Sequence, residues 1–135
     1  MPDLSRIIIK TALVYLLAAL LVGVLLTPPG LRAFPQLALA VPAQVHLLVV
    51  GWLSQLIFGV AHWLFPRYSR ERPHGRVALA WMGYAMLNAG LLLRLASEPF
   101  SADPGFAWAV LTSAVLQWAG CLAFVGHLWP RVKEK

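Results

Sequence analysis

The chain has 135 residues, of which 60% are hydrophobic and only 12% charged, a composition that excludes a soluble domain of this size and predicts an integral membrane protein. Its formal net charge of +6 comes from arginines and lysines at the ends of apolar runs, which indicates membrane anchoring and not nucleic-acid binding. The single cysteine, Cys121, lies within an apolar run, which excludes a disulfide framework within the chain and a CxxC metal or redox motif.

Four apolar runs approach the roughly 20 residues that a helix needs to cross a bilayer. We predict these spans at residues 7–27, 41–65, 77–96 and 106–129. Prolines and glycines separate them, and a short interfacial turn is expected from Leu31 to Leu39. A secretory signal peptide is the competing interpretation of the first run, because Ala38 and Ala40 form an A-x-A pattern, but that pattern lies well beyond the end of the run.

The distribution of arginine and lysine predicts the orientation, because basic loops stay on the cytoplasmic side. The amino terminus, the loop from Arg67 to Arg76 and the carboxyl-terminal tail are basic, whereas the loops after the first and third runs are not. Both termini are therefore expected in the cytoplasm, below a bacterial-type inner membrane. Because the connections are short, we predict one all-α domain, an antiparallel up-down-up-down bundle of four transmembrane helices.

Histidine is costly inside a bilayer unless it has a partner, and the second predicted helix carries two, His46 near its outer end and His62 near its inner end. On an ideal α-helix about 160° separate the two, so they cannot bind one metal ion within one chain. Small and polar residues share the His62 side and should face the bundle: Gly51, Gln55, Gly59 and His62. His46 should then point outward, towards lipid or a second copy of the chain.

The fourth predicted helix carries a similar stripe, formed by Ser113, Gln117, Gly120 and His127. His62 and His127 should lie at similar depth on facing stripes, an arrangement with which bundles build cofactor sites. The pair could bind a haem b, with Arg67 or Arg131 at its propionates, or copper or zinc, although only His74 is near enough to add a ligand. A simpler interpretation makes both histidines ordinary interfacial residues of helices that end in Trp, Pro and Arg.

The second predicted helix resembles the second transmembrane helix of the catalytic subunit of haem-copper oxidases, especially the nitric oxide reductase branch and shorter relatives of that subunit. The resemblance rests on His46, Gly51, Trp52, Gly59 and the ending from Trp63 to Pro66. It implies that His46 is an axial ligand of a low-spin haem, at the outer end of a helix that runs from outside to inside. The family completes its haem and oxygen or nitric oxide sites with histidines from later helices that a four-helix chain lacks, so haem binding is expected without complete oxidase or reductase activity.

We therefore expect a haem b protein, similar to b-type cytochromes, that transfers electrons or senses redox state or a diatomic gas. A homodimer would supply two copies of His46, with Arg32 and Arg94 as candidate partners of the propionates. A quinone or a cytochrome would be its redox partner. The alternatives are a non-catalytic assembly or scaffold subunit of a respiratory complex, in which the histidines only pack, and a metal-handling membrane protein.

Overall fold

Four helices that are long and apolar enough to cross a membrane dominate the computed structural model of the chain. The structure describes residues 1–66, 68 and 75–132, without the side chains of residues 35 and 36. All regular elements in these ranges are helical. The all-α class and the four long apolar helices are thus confirmed, and they are consistent with a multi-pass membrane protein.

The elements follow in this order: α1 (Asp3–Leu25), α2 (Pro28–Ala33), a 3₁₀ turn (Pro35–Ala40), α3 (Val41–His46), a π-helical segment (Leu47–Ser54), α4 (Gln55–Leu64), α5 (Val77–Ser97), two 3₁₀ turns (Glu98–Phe100 and Pro104–Phe106), α6 (Ala107–Leu128) and a last 3₁₀ turn (Trp129–Arg131). The second long helix runs continuously through α3, the π-helical segment and α4. Proline begins or follows an element where its missing N–H is tolerated, as at Pro28 and Pro66. The four long helices match the four predicted spans to within a few residues.

Neighbouring long helices pack side by side, with their contacts in opposite order along the chain. On the second long helix, Gly51 lies against Tyr15 of α1, and the later Gly59 lies against the earlier Ile8. α5 and α6 form the second such pair. Glycines allow this close approach, which matters because helices in a bilayer associate through packing and hydrogen bonds.

Apolar clusters and polar contacts connect the two helix pairs. One buried cluster brings α1, α5 and α6 together through Leu4, Ile8, Ala80, Leu87 and Phe124. Nearer the middle of α1 and α5, the Tyr15 hydroxyl donates a hydrogen bond of 2.8 Å to Asn88 Oδ1, and Asn88 Nδ2 lies 3.3 Å from Gln55 Oε1. Buried polar side chains are costly unless they are hydrogen-bonded, so these contacts fix the register of three long helices.

The π-helical segment Leu47–Ser54 was not predicted, and it changes which residues share a face of the second long helix. In an α-helix, positions four residues apart drift around the axis by about 40° per step. A π-turn contains about one residue more than an α-turn, so each residue rotates less around the helix axis. Positions four residues apart then stay on nearly the same face. Accordingly, every fourth residue is buried in the row Ala43, Leu47, Gly51, Gln55 and Gly59. The opposite row is exposed at Val41, Val45, Val49, Leu53 and Ile57.

A substitution at Gly120 tests the close packing of α5 against α6. A Cβ atom at this position would lie 2.8 Å from Leu87 Cγ and 2.9 Å from the backbone oxygen of Gly83. We expect Gly120→Ala to lower the free energy of unfolding by about 1–3 kcal/mol, because backbone cannot move aside cheaply. Gly126→Ala is the matched control on the same helix, since its Cβ would meet only Leu79 Cδ2, at 3.7 Å. Unfolding titrations with SDS in mixed micelles measure both variants, and equal stabilities would contradict this packing.

Candidate functional site

His62 and His127 are in contact at one end of the bundle. His62 Nδ1 lies 2.8 Å from His127 Nε2, and both side chains are buried, with 1% and 3% of their surface exposed. His127 Nδ1 lies 3.1 Å from the carbonyl oxygen of Arg76. Because a carbonyl oxygen only accepts, His127 Nδ1 carries the proton of this bond. In a neutral pair, His62 Nδ1 is then the donor to His127 Nε2.

Arg131 joins the ends of α4 and α6 beside this pair. Its guanidinium donates three hydrogen bonds to backbone oxygens: Nε to Pro66 (3.1 Å), Nη1 to His62 (2.9 Å) and Nη2 to Phe65 (2.8 Å). Only 1% of its surface is exposed. Carbonyl groups at the end of a helix lack helical partners and carry partial negative charge, so a buried cation stabilises them. Because the guanidinium is buried and three of its five N–H groups already bind the backbone, Arg131 does not fit the predicted role at a haem propionate.

The closed contact between His62 and His127 does not fit a haem between the two rings. Two axial nitrogens on opposite sides of one iron, each about 2 Å from the metal, would be about 4 Å apart. Here they are 2.8 Å apart and joined by a hydrogen bond. The cavity beside His127 has a volume of about 150 Å³, whereas pockets for small organic ligands have roughly 300–1,000 Å³.

Among the described residues, a copper or zinc site at this pair would have only the two histidines as ligands. In the part of the chain that the structure describes, no three His, Cys, Asp or Glu side chains are grouped so as to hold a metal ion. His74, the predicted third ligand, and Arg67, the other predicted propionate partner, lie outside the described residues. The described geometry therefore assigns His62 and His127 to each other and to the backbone.

His46 lies towards the other end of the second long helix, half-buried where α3 meets the π-helical segment. Its Nδ1 lies 2.8 Å from the carbonyl oxygen of Pro42. The carbonyl only accepts, so Nδ1 carries the proton, and in the neutral ring Nε2 keeps its lone pair. Histidine ligands of metals are usually oriented by such a bond from the second ring nitrogen. In the neutral ring of His46, Nε2 is therefore the nitrogen that can accept a hydrogen bond or bind a metal.

The predicted outward direction of His46 needs a correction. On an ideal α-helix His46 lies opposite the stripe of Gly51, but the π-turns slow the rotation of the chain between them. His46 therefore lies on the same side of the helix as Val50, Ser54 and Phe58, which are all half-buried. This side lies between the buried row that contains Gly51 and the exposed row that contains Val49. His46 is only partly accessible from outside the chain.

The two arginines predicted near the propionates differ in their surroundings. Arg32 is exposed in the last turn of α2. Arg94 Nε lies 2.8 Å from Glu98 Oε2, with 14% and 8% of the two side chains exposed. The angle of this contact is not that of a hydrogen bond, so it is an ion pair. Because Glu98 already engages Arg94, Arg32 is the more accessible partner for an added anionic group.

No protein-family model, curated protein or solved structure matches this chain. The resemblance to haem-copper oxidases therefore stays a resemblance of one helix.

One end of the molecule carries most of the basic residues that the structure describes. α1 begins there, because Leu4 packs with Ala80 and Phe124, and at the same end Arg76 contacts His127 and Arg131 contacts His62. Four of the six described basic residues belong to this end, with one acidic residue, Asp3: Arg6, Lys10, Arg76 and Arg131. Towards the opposite end, Arg32 and Arg94 balance Glu98 and Asp103, so we call the first one the basic end.

Proposed function

We propose that this protein is a haem b-binding integral membrane protein that transfers electrons or senses redox state or a diatomic gas, with His46 as the first axial ligand. One observation carries the proposal: the hydrogen bond of 2.8 Å between His46 Nδ1 and Pro42 O, which leaves Nε2 as the ligand atom. The resemblance of the second helix to that of haem-copper oxidases favours the same residue. A haem bound there would supply the one-electron chemistry of its iron.

The proposed setting is an up-down-up-down bundle in a bacterial-type inner membrane, with both termini in the cytoplasm. The charge supports this orientation, since basic segments stay on the cytoplasmic side and four of the six described basic residues lie at the basic end. The opposite order of contacts between neighbouring helices supports the up-down arrangement. In this orientation His46 lies near the outer surface.

A homodimer would complete the coordination of the iron. Two-fold symmetry presents the same surface twice, so the His46 of a second copy can approach from an equivalent position. Val45 and Val49, exposed beside His46, provide apolar surface for a porphyrin, and Arg32 provides a cation for its propionates. A quinone or a cytochrome is the proposed redox partner.

The visible spectrum of the purified protein in detergent tests this proposal. We expect a Soret band and, after reduction, the sharp α and β bands of a low-spin, six-coordinate haem. The mass of the protein in detergent should correspond to two chains. A colourless protein from haem-replete cells would contradict haem binding, and a strict monomer that retains haem would contradict ligation shared between two chains.

A second candidate is a non-catalytic assembly or scaffold subunit of a respiratory complex. The observation that favours it is that His62, His127 and Arg131 use their hydrogen bonds to hold helix ends together, with no need of a cofactor. A colourless, stable protein that co-purifies with a larger complex would support this function. A metal-handling role has less support, because the described residues contain no group of three suitable ligands.

A further inference from the structure

We propose that the basic end binds an anionic phospholipid, with its phosphate beside Arg76 and one acyl chain along α5. This inference goes beyond the proposed function and does not depend on haem. Three observations support it: a small cavity lined by Arg76, an apolar groove that shares Gly75 and Arg76 with this cavity, and the charge of this end.

The cavity lies at the start of α5 and is lined by Tyr68, Gly75, Arg76, Gly126, His127 and Pro130. Its volume of about 150 Å³ corresponds to about five water molecules at roughly 30 Å³ each, so a phosphate group can enter it. Arg76 lines this cavity, and a guanidinium is a strong, forked donor to phosphate oxygens. The cavity thus has room for a phosphate and an arginine that can bind it.

A second, open groove lies along the start of α5. Its lining residues are Gly75, Arg76, Val77, Ala78, Leu79 and Met82, and its volume is about 570 Å³. Gly75 and Arg76 line both spaces, and beyond Arg76 the lining side chains of the groove are apolar. A cavity lined by an arginine, with an apolar groove beside the same arginine, matches a phospholipid, whose phosphate is joined to long hydrocarbon chains.

The histidine pair holds Arg76 in this position. His127 Nδ1 donates to the carbonyl oxygen of Arg76 at 3.1 Å, and His62 in turn contacts His127. Gly75 adopts a φ of 67°, a left-handed conformation that glycine allows without steric cost. The backbone is therefore anchored immediately before α5 begins. We infer that His62 and His127 are positioning residues of the lipid site.

The charge of the basic end favours an anionic lipid over a zwitterionic one. Four described basic residues and one acidic residue lie at this end, and anionic lipids of the cytoplasmic leaflet attract basic segments next to a membrane helix. A zwitterionic lipid offers the same phosphate and the same acyl chains but no net charge. The difference in affinity between the two lipids therefore measures the electrostatic part of the site.

The test compares phosphatidylglycerol with phosphatidylcholine of the same acyl chains, bound to the full-length protein in detergent and followed by native mass spectrometry. We expect phosphatidylglycerol to bind more tightly and Arg76→Gln to weaken its binding about tenfold, because a charge-assisted contact is lost. Arg6→Gln is the matched control: it removes one charge from the same end, but Arg6 is 56% exposed and outside the cavity, so we expect less than about a twofold effect.

Three results would overturn the proposal. Equal losses in Arg76→Gln and Arg6→Gln would leave only a general attraction to the basic end, and equal binding of the two lipids would remove the preference for an anion. Displacement of phosphatidylglycerol by millimolar inorganic phosphate would assign the cavity to a free anion. Because His46 lies towards the other end of the second long helix, any haem spectrum should be unchanged in Arg76→Gln, so this test is independent of the proposed function.

Discussion

Replacement of His46 by alanine should remove most of the haem from the purified protein, with a loss of at least about 90% of the Soret absorbance per chain. The iron would lose the ligand atom Nε2, and in a symmetric dimer one substitution removes both axial ligands at once. The measurement is the reduced-minus-oxidised spectrum at equal protein concentration. Thermal unfolding of the variant in detergent should show that the fold persists, because His46 is half-buried and its one described hydrogen bond is to its own helix.

The matched control for this experiment is the double variant His62→Ala, His127→Ala. It removes two histidines from the same bundle, but the facing nitrogen atoms of their rings are only 2.8 Å apart and leave no room for iron between them. The spectrum per folded chain should therefore be retained. Loss of haem in the double variant and retention in His46→Ala would contradict the proposal. Rescue of haem binding in His46→Gly by added imidazole would show that the lost group is the ligand itself and not a packing contact.

Much of the architecture follows from the sequence because the membrane imposes simple rules. A helix needs about 20 apolar residues to cross hydrocarbon, and small or polar residues mark the face that meets another helix. The buried stripe from Gly51 to His62, and that from Ser113 to His127, could be predicted on this basis. The similar depth of His62 and His127 follows from the same reasoning, and the structure brings them into contact.

The direction of His46 could not be obtained from an ideal α-helix. The π-helical segment contains no proline from which it could be predicted. Its signal in the sequence is that small or buried residues recur every four positions instead of every 3.6. That period is visible in the sequence, since Leu47, Gly51, Gln55 and Gly59 recur at every fourth position. π-turns are frequently found at functional sites, and this one begins next to the proposed ligand.

The role of Arg131 could not be predicted either, because it depends on contacts between residues far apart in the chain. The sequence shows a basic residue after a Trp-Pro pair, which is typical of a helix end at the membrane surface. Only the packing of α6 beside α4 brings its guanidinium to the carbonyl oxygens of His62, Phe65 and Pro66. Arg131, which the sequence suggested as a partner of a haem propionate, thus donates its hydrogen bonds to backbone carbonyl groups.

Arg131→Met should therefore destabilise the protein strongly, by about 3 kcal/mol in free energy of unfolding, because one buried and two part-buried hydrogen bonds from a charged donor to carbonyl groups are lost. Methionine keeps much of the apolar volume of arginine, so the loss of stability measures the missing hydrogen bonds and not the formation of a cavity. Unfolding by SDS in mixed micelles measures the effect. Arg131→Lys should recover only part of it, since one ammonium group cannot reproduce the planar fork of a guanidinium.

Arg6→Met is the control for Arg131→Met, because it removes the same charge from an exposed side chain whose contact with Asp3 is 3.7 Å long. Surface ion pairs contribute little, and we expect a change below about 0.5 kcal/mol. If Arg131→Met and Arg6→Met were equally stable, the guanidinium would not hold α4 to α6. Because Arg131 binds the backbone next to His62, and His62 contacts the ring that anchors Arg76, Arg131→Met should also weaken the binding of phosphatidylglycerol.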